Sequence, residues 1–316
     1  MDKFARIAHS LTHTCKATHP EVSNLPRPLV RQYKDFFRPL DFPQVLAKKW
    51  LCHGPIDPVF VERFLQGQLS EEECRYIGFR EQTSRPELIK RTVLEVAGTV
   101  LTCQLARRYG IAANVAGGTH HAHPTGGAGY TILNDFAVAT HVLTSSSSSG
   151  VNRVLVIDVD VHQGDGTAKF GAADPLKGKL FTLSLHCSSN YPQLKAQSTI
   201  DVGLPDKLED DGYMEALEEA VEKAASLVEP DFIIYNAGVD IYKNDKLGRL
   251  RVSEAGIRRR DRYVLDWCVQ NGIPVAATVG GGYDKDVDAL ARRHAIVHEE
   301  CSYVWRKHQM WKMCEM

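Results

Sequence analysis

The sequence predicts an α/β protein in which helices cover both faces of a mostly parallel β-sheet. From about residue 88, short apolar stretches alternate with stretches whose apolar residues recur at helical spacing. The short stretches, such as Arg153–Asp158, are β-branched and apolar at consecutive positions, which is typical of strands buried on both faces. Strands that alternate with helices favour a parallel sheet.

One domain is predicted, because the chain shows no internal repeat and no change of composition that indicates a linker. Residues 1–85 form an irregular N-terminal part with prolines at positions 20, 26, 28, 39, 43, 55 and 58, and residues 86–316 form the core. Predicted helices span 91–108, 134–143, 209–228 and 253–270, with an exposed loop at 145–149. Predicted strands span 111–116, 153–158, 181–185, 232–235 and 273–279.

The composition argues against several classes of protein. The 38 basic and 39 acidic side chains give a formal charge of −1, whereas a protein that binds nucleic acid through phosphates carries an excess of Lys and Arg. No apolar stretch is long enough to span a membrane. The eight cysteines form no Cys-x-x-Cys pair, so we expect reduced thiols and a nuclear or cytoplasmic protein, with an organelle as the less favoured alternative.

Polar and glycine-rich sequences follow four of the predicted strands. They are GGTHH (117–121), DVDVHQGDG (158–166), NAGVD (236–240) and GGGY (280–283). Ligand sites of parallel sheets lie beyond the carboxyl ends of the strands. The shared position of the four sequences therefore predicts one site at this edge of the sheet.

A metal site is predicted at Asp160 and His162. With Asp158 these residues recur at period two, so an extended backbone places all three on one side, where they need a cation. A catalytic zinc takes three protein ligands and leaves one position open, and Asp240 supplies the third ligand from another strand end. The alternatives are an ion pair or a turn cap, which an isolated Asp-x-Asp usually forms. The neighbouring acids and the His-His pair favour the metal.

His120 and His121 follow a Gly-Gly turn and share the predicted site with Asp158 and Asp165. A single histidine there is more often a hydrogen-bonded structural group. Two adjacent histidines with carboxylate partners indicate general acid–base catalysis. A carboxylate that accepts the Nδ1–H fixes the tautomer and raises the basicity of the ring.

Tyr283 follows three glycines. A tyrosine in this position commonly only anchors a turn. Alternatively, the glycines let the phenol approach the metal, where it donates a hydrogen bond to a developing oxyanion. The sequence alone leaves both interpretations open.

Five sequence blocks resemble, in order, those of the zinc-dependent histone deacetylase superfamily. They are GGTHHAHPTGGAGY (117–130), DVDVHQGDG (158–166), TLSLH (182–186), YNAGVD (235–240) followed by NDKLGRL, and GGGYD (280–284). The resemblance covers about residues 85–300 and is greatest for class IV enzymes and their bacterial relatives, because Gln163 stands where many class I members have a second histidine. It implies the arginase/deacetylase fold, a three-layer α/β/α sandwich, in which residues 86–316 are the catalytic core.

The resemblance implies a role for each matching position. The zinc ligands are Asp160, His162 and Asp240. The catalytic positions are His121, with Asp165 as its partner, His120, paired with Asp158, and Tyr283, which polarises the substrate carbonyl. The substrate-binding positions are Gly129, whose carbonyl holds the substrate amide, the tunnel walls Tyr130 and Tyr191, and Gly281 and Gly282. A monovalent cation, usually potassium, is implied near Asp158, Ser184 and Leu185.

The implied activity is removal of acetyl or longer acyl groups from lysines of histones or other proteins, and the implied partners are of the co-repressor type. Tyr130-Thr131 replaces the commoner Phe-Cys, and the first 85 residues lack the opening motif of the family. One alternative is a deacetylase of small amines such as acetylpolyamines. Others are an inactive metal-binding module and a binuclear manganese ureohydrolase of arginase type, which needs additional Asp and His ligands.

Overall fold

The computed structural model describes residues 2–13, 30, 32–39, 48–145 and 149–310. In these residues the α-helices are α1 (Asp2–His13), α2 (Pro58–Leu65), α3 (Glu71–Ile77), α4 (Pro86–Tyr109), α5 (Asp135–Thr144), α6 (Asp165–Gly171), α7 (Asp210–Val228), α8 (Glu254–Gln270) and α9 (Val287–Lys307). The strands are β1 (Ile111–Ala113), β2 (Val154–Asp158), β3 (Leu180–Cys187), β4 (Ile200–Leu204), β5 (Phe232–Asn236) and β6 (Val275–Thr278). No helix within these ranges is long and apolar enough to cross a membrane.

The described strands form one sheet in the order β1-β6-β5-β2-β3-β4, and every neighbouring pair is parallel. The prediction of a mostly parallel sheet is confirmed. β2 lies between β5 and β3, and the register places its last residue, Asp158, opposite Asn236 on one side and Ser184 on the other. The carboxyl ends of three adjacent strands therefore meet at one edge.

Helices cover both faces of the sheet. Successive residues of a strand point to opposite faces. Leu155 and Ile157 of β2 pack in the core formed with α7, α8 and α9, whereas Val154 and Val156 pack in the core formed with α2, α4 and α5. All five residues of β2 are buried, as its unbroken apolar sequence predicts. The three-layer α/β/α arrangement is confirmed.

The predicted helices and strands are all present, and two differ clearly in their bounds. Helix α4 begins at Pro86, five residues before the predicted start, because proline suits the first turn of a helix. Strand β1 ends at Ala113 and not at 116, because the Asn114 side chain accepts the N–H of Ala116 and turns the chain. Strand β4 and helices α6 and α9 have no counterpart among the predicted elements. Residues 146–148 of the predicted loop lie outside the described residues.

Within residues 1–85, which the sequence predicts to be irregular, the structure contains α1, α2 and α3. The prediction is wrong for these segments. Pro58, one of the residues that suggested irregular structure, stands at the start of α2, where the Asp57 side chain accepts the N–H of Val59. Helix α1 packs on α9 through Ile7 and Leu11.

Glu73 closes a capping box at the start of α3 and also joins this helix to α2. Ser70 Oγ accepts the N–H of Glu73 at 3.2 Å, and Glu73 Oε2 accepts the N–H of Ser70 at 2.8 Å. Arg63 of α2 donates to both oxygens of Glu73, at 2.8 and 2.6 Å. The hydrogen bonds from Arg63, which outweigh partial burial, lower the pKa of Glu73 to about 2.

Replacing Glu73 with alanine is expected to lower the free energy of unfolding by about 1 kcal/mol, the usual contribution of a helix cap. The pKa of about 2 in the folded state lies below the ordinary value of 4.5, so this stabilisation is complete above about pH 4.5 and is lost as the pH falls toward 2. Urea unfolding near pH 7 and near pH 3 tests this, because the difference from wild type should shrink in acid. Glu71→Ala is the matched control, since the Glu71 side chain is 93% exposed in the same turn. A difference that stays constant with pH would contradict the prediction.

Candidate active site

The polar sequences predicted to lie together do meet at the carboxyl edge of the sheet. A cavity of about 690 Å³ opens there. Its lining includes residues from the loops after β1, β2 and β6, namely His120, His121, Gly129, Tyr130, Asp160, Gly281, Gly282 and Tyr283. Because several connections of the sheet deliver these groups, the parallel topology itself creates the site.

Asp160, His162 and Asp240 converge beside this cavity, as predicted. One ligand atom from each side chain lies within 4.8 Å of the others, and all three residues are buried. His162 Nδ1 is 3.1 Å from Asp160 Oδ1 and 3.1 Å from Asp240 Oδ2. Within the residues that the structure describes, this is the one group of three His, Cys, Asp or Glu side chains that is close enough to hold a metal.

Backbone groups hold the two carboxylates in place. Gly281 N–H donates to Asp160 Oδ2 at 2.7 Å, and Val161 N–H donates to Asp240 Oδ1 at 2.9 Å. A Cβ atom at Gly281 would collide with the carboxylates of both Asp160 and Asp240. Only glycine therefore allows the loop after β6 to lie against this pair.

The loop that carries Asp240 rests on a buried charged pair. Arg260 is fully buried, and its Nη1 donates to the carbonyl of Gly238 at 2.5 Å. Asp261 accepts from Arg260 Nε at 2.9 Å and from the Tyr235 hydroxyl at 2.6 Å. Since Gly238 also packs against Asp160, Arg260 supports the backbone next to both carboxylates.

The electrostatics of the three residues fit a bound cation. Burial opposes a charge on His162, but hydrogen bonds to Asp160 and Asp240 raise its pKa to about 10. Burial and the negative charge of Asp160 raise the pKa of Asp240 to about 7. Two buried carboxylates this close together repel each other, and a positive charge between them relieves that repulsion. Two carboxylates and one imidazole are a donor set that divalent zinc takes in catalytic sites, with one position left open.

The two adjacent histidines have separate carboxylate partners, as predicted. His120 Nδ1 is 2.6 Å from Asp158 Oδ2, and His121 Nδ1 is 2.8 Å from Asp165 Oδ1. Asp165 is the first residue of α6, so its carboxylate lies at the positive end of the helix dipole. In each histidine the Nδ1 atom is engaged, but His120 Nε2 also lies 3.9 Å from Asp160 Oδ1, so His121 is the ring whose Nε2 is available to a reactant.

The two rings differ in charge. Burial opposes protonation of His120, but the carboxylates of Asp158 and Asp160 outweigh it and raise its pKa to about 9. Burial and the charge of His120 lower the pKa of His121 to about 4, against the effect of Asp165. At neutral pH His121 is therefore the neutral ring of the pair and is able to accept a proton.

Tyr283 faces the three candidate metal ligands. Its ring lies perpendicular to that of His162, with centroids 6.2 Å apart, and its N–H donates to Asp245 Oδ2 at 2.7 Å. Burial and the nearby charges of Asp240 and Asp160 raise the pKa of Tyr283 above its ordinary value. The phenol thus keeps its proton and is a hydrogen-bond donor.

The predicted tunnel residues lie around the mouth of the cavity. Gly129 and Tyr130 both have positive φ, 53° and 63°, and the Gly129 backbone packs against the ring of His121. Tyr130 N–H donates to the carbonyl of Ile77 at 2.8 Å, which holds the strained turn. The Tyr191 ring meets His121 edge to face at 4.8 Å.

The residues predicted to surround a monovalent cation lie on neighbouring strands. Ser184 of β3 pairs in register with Asp158 of β2, and its Oγ is 3.0 Å from His186 Nδ1. Leu185 follows in β3 and is buried. The cation itself stays a prediction.

Two groups of site residues were missed in the sequence. Asn236 donates to Asp158 Oδ1 at 2.9 Å, and its place in the sequence after a predicted strand was a signal for this role. Lys3 of α1 lines the cavity and donates to the carbonyl of Gly280 at 3.0 Å, and Glu95 of α4 lines it too. No local motif distinguishes Lys3 or Glu95, since both reach the site only through helix packing.

Comparisons with known proteins extend these observations. A family model described as "Histone deacetylase domain" matches residues 57–299. An uncharacterized protein of Picosynechococcus sp. (strain ATCC 27264 / PCC 7002 / PR-6) is 42% identical over 265 residues, which are 83% of this chain and 85% of that protein. Histone deacetylase 2 of Arabidopsis thaliana is 34% identical over 194 residues, which are 60% of this chain and 49% of that enzyme. This chain thus spans about half of the plant enzyme.

A solved structure supports the fold. The crystal structure of the HDA15 HD domain matches with a TM-score of 0.69 at 21% sequence identity, covering 96% of this chain and 83% of that one. At this identity the likeness shows the fold alone. The expected class IV subtype stays a prediction.

Proposed function

This chain belongs to the histone deacetylase family, and from that premise we propose that it hydrolyses the acyl-amide of acylated lysines in proteins or peptides, with zinc held by Asp160, His162 and Asp240. One observation carries the proposal. A buried donor set of two carboxylates and one imidazole adjoins the neutral His121, its partner Asp165 and the protonated phenol of Tyr283. These are the groups that amide hydrolysis requires.

Each side chain has a distinct task in the proposed reaction. The chemistry that zinc supplies when bound is Lewis acidity, which polarises a carbonyl and acidifies water. His121 Nε2 accepts the proton of the attacking water, while Asp165 keeps the ring in the required tautomer. The same nitrogen then delivers a proton to the departing lysine amine. Tyr283 donates a hydrogen bond to the developing oxyanion, and the Gly129 carbonyl accepts the amide N–H of the substrate.

His120 and the strand ends behind it tune the charge of the site. His120 carries a proton shared with Asp158, which Asn236 also contacts. A potassium ion near Asp158, Ser184 and Leu185 belongs to this part of the proposal. Its effect is to offset the negative charge that the carboxylates concentrate here.

A panel of fluorogenic substrates tests the proposal. We expect turnover of acetyl-, octanoyl- or myristoyl-lysine peptides that a hydroxamate chelator abolishes and added zinc restores. Turnover of acetylpolyamines with no turnover of any peptide would replace the protein substrate by a small amine. Absence of turnover on all substrates, with zinc bound at one equivalent per chain, would reject the enzyme and favour a metal-binding interaction module.

A further inference from the structure

Large hydrophobic side chains are concentrated around the mouth of the cavity. Of the nine that are exposed within the described residues, five are placed here: Tyr130 and Leu247 line the cavity, Tyr191 packs on His121, Tyr76 interacts with Tyr191, and Leu194 follows Tyr191 in the same loop. They are Tyr76 (65% exposed), Tyr130 (55%), Tyr191 (42%), Leu194 (89%) and Leu247 (46%), which together are called the apolar rim. Single exposed hydrophobic residues are common on protein surfaces, whereas a group of them marks a contact site.

The apolar rim is continuous with the candidate active site. Tyr130 and Leu247 line the cavity, and the ring of Tyr191 packs on His121. Tyr76 of α3 interacts with Tyr191. Burial, the negative charge of Asp165 and the Tyr76 phenol together raise the pKa of Tyr191 to about 12. Tyr130 packs against Gly78, the residue that ends the same helix.

Hydrogen bonds fix the conformation of the loop that carries Tyr191 and Leu194. Gln163, next to the metal ligand His162, donates to the carbonyl of Ala196 and accepts its N–H, each at 2.8 Å. Asn190 Nδ2 donates to the carbonyl of Leu247 at 2.7 Å and so joins two parts of the rim. Lys195 Nζ donates to the carbonyl of Asn190 at 2.6 Å. The loop is therefore held in place while its apolar side chains remain exposed.

On the basis of the proposed function, we propose that the apolar rim selects acyl-lysines that lie within one or two residues of a large apolar side chain in the substrate protein. A peptide whose lysine enters the cavity places its flanking residues against this surface, because Tyr130 and Leu247 belong to the cavity lining and Tyr191 packs on His121. The ammonium of Lys195 is engaged within its own loop, where it donates to the carbonyls of Asn190 and Pro192. The rim side chains thus offer apolar contact to the residues that flank the acyl-lysine.

Paired peptides measure this selection. Two fluorescent acyl-lysine peptides are compared that differ only in a leucine or a serine on each side of the lysine. Fluorescence anisotropy with the zinc-loaded protein gives their dissociation constants, and turnover gives kcat and KM. We expect the leucine peptide to bind about tenfold more tightly, which corresponds to partial burial of one or two apolar side chains. The gain should appear in KM and leave kcat nearly equal.

Substitutions in the apolar rim test whether the rim causes the preference for the leucine peptide. In the double variant Tyr76→Ser, Leu194→Ser the preference should fall to about threefold or less. Leu227→Ser is the matched control, because Leu227 is 63% exposed on α7, outside the rim. It should keep the full preference. An equal affinity for the two peptides, or a preference that the double variant retains, would overturn the proposal.

The binding data separate this proposal from the proposed function. A preference for the leucine peptide in anisotropy without turnover would support selection by the rim and reject hydrolysis. Turnover without a preference between the peptides would support hydrolysis and reject selection by the rim. Self-association provides a third outcome. If light scattering showed a mass that rises with concentration in the wild type but not in the double variant, and no peptide preference, a second copy of the chain would be the occupant and the proposal would be overturned.

Discussion

Replacing His121 with alanine is expected to lower kcat by about 10²–10⁴-fold while zinc stays bound, because the variant loses the proposed general base. The His121 ring is the one group at the described site that combines a lowered pKa with a carboxylate on Nδ1 and a place in the cavity lining. The proposed metal ligands Asp160, His162 and Asp240 are untouched by the change. Single-turnover kinetics, with zinc content measured on the same sample, give the effect on the chemical step.

His123→Ala provides the control for this substitution. His123 is two residues further along the same loop, half-buried, and outside the cavity lining. We expect its variant to retain kcat within about threefold, as for changes outside the reacting groups. If His121→Ala kept full turnover with zinc bound, the proton would have to travel by another group, and His120 would be the next candidate.

The site was predictable where chemistry and topology coincide in the sequence. The run DVDVH stands directly after an apolar strand, so Asp160 and His162 were expected at the carboxyl end of that strand, although the backbone bends at 160–162 and does not continue extended. Asp240 follows the neighbouring strand β5, and parallel pairing brings the two strand ends together. Three side chains separated by up to 80 positions were thus assignable to one point without any knowledge of distances.

Support for the site was not predictable, because it depends on packing between distant segments. Arg260 lies inside helix α8, where a charged residue ordinarily indicates a solvated face. The structure buries it completely and directs Nη1 to the carbonyl of Gly238. Lys3 contacts Gly280 across 277 residues, and no periodicity reports such a contact.

The helices within the first 85 residues were not predicted because proline occurs both in loops and at helix starts. Proline at position 58 suggested irregular structure, yet Pro58 stands in the first turn of a helix, as Pro86 does at the start of α4. Proline lacks an N–H, and the first helical positions have no intrahelical partner for one. A capping residue such as Asp57 directly before Pro58 is the local signal that distinguishes a helix start from a loop.

Replacing Asp240 with asparagine is expected to abolish stoichiometric zinc binding and, with it, turnover. Loss of an outer partner of a metal ligand usually weakens metal binding by about 10–100-fold, so the loss of a direct ligand should exceed about 100-fold. Elemental analysis after dialysis against a weak chelator gives the zinc content. Asp231→Asn is the matched control, since Asp231 accepts the N–H groups of Asn152 and Arg153 at the opposite end of the sheet.

A metal ligand and a merely structural carboxylate differ in how zinc changes stability. The amide side chain in Asp240→Asn would keep an oxygen for the N–H of Val161, which Asp240 accepts at 2.9 Å, so the zinc-free variant should unfold at nearly the urea concentration of the zinc-free wild type. Zinc at about 100 times its dissociation constant should stabilise the wild type and Asp231→Asn by about 2.7 kcal/mol. The same concentration should leave Asp240→Asn almost unchanged. Equal stabilisation of all three proteins would place the zinc elsewhere, and the proposed hydrolysis would lose its foundation.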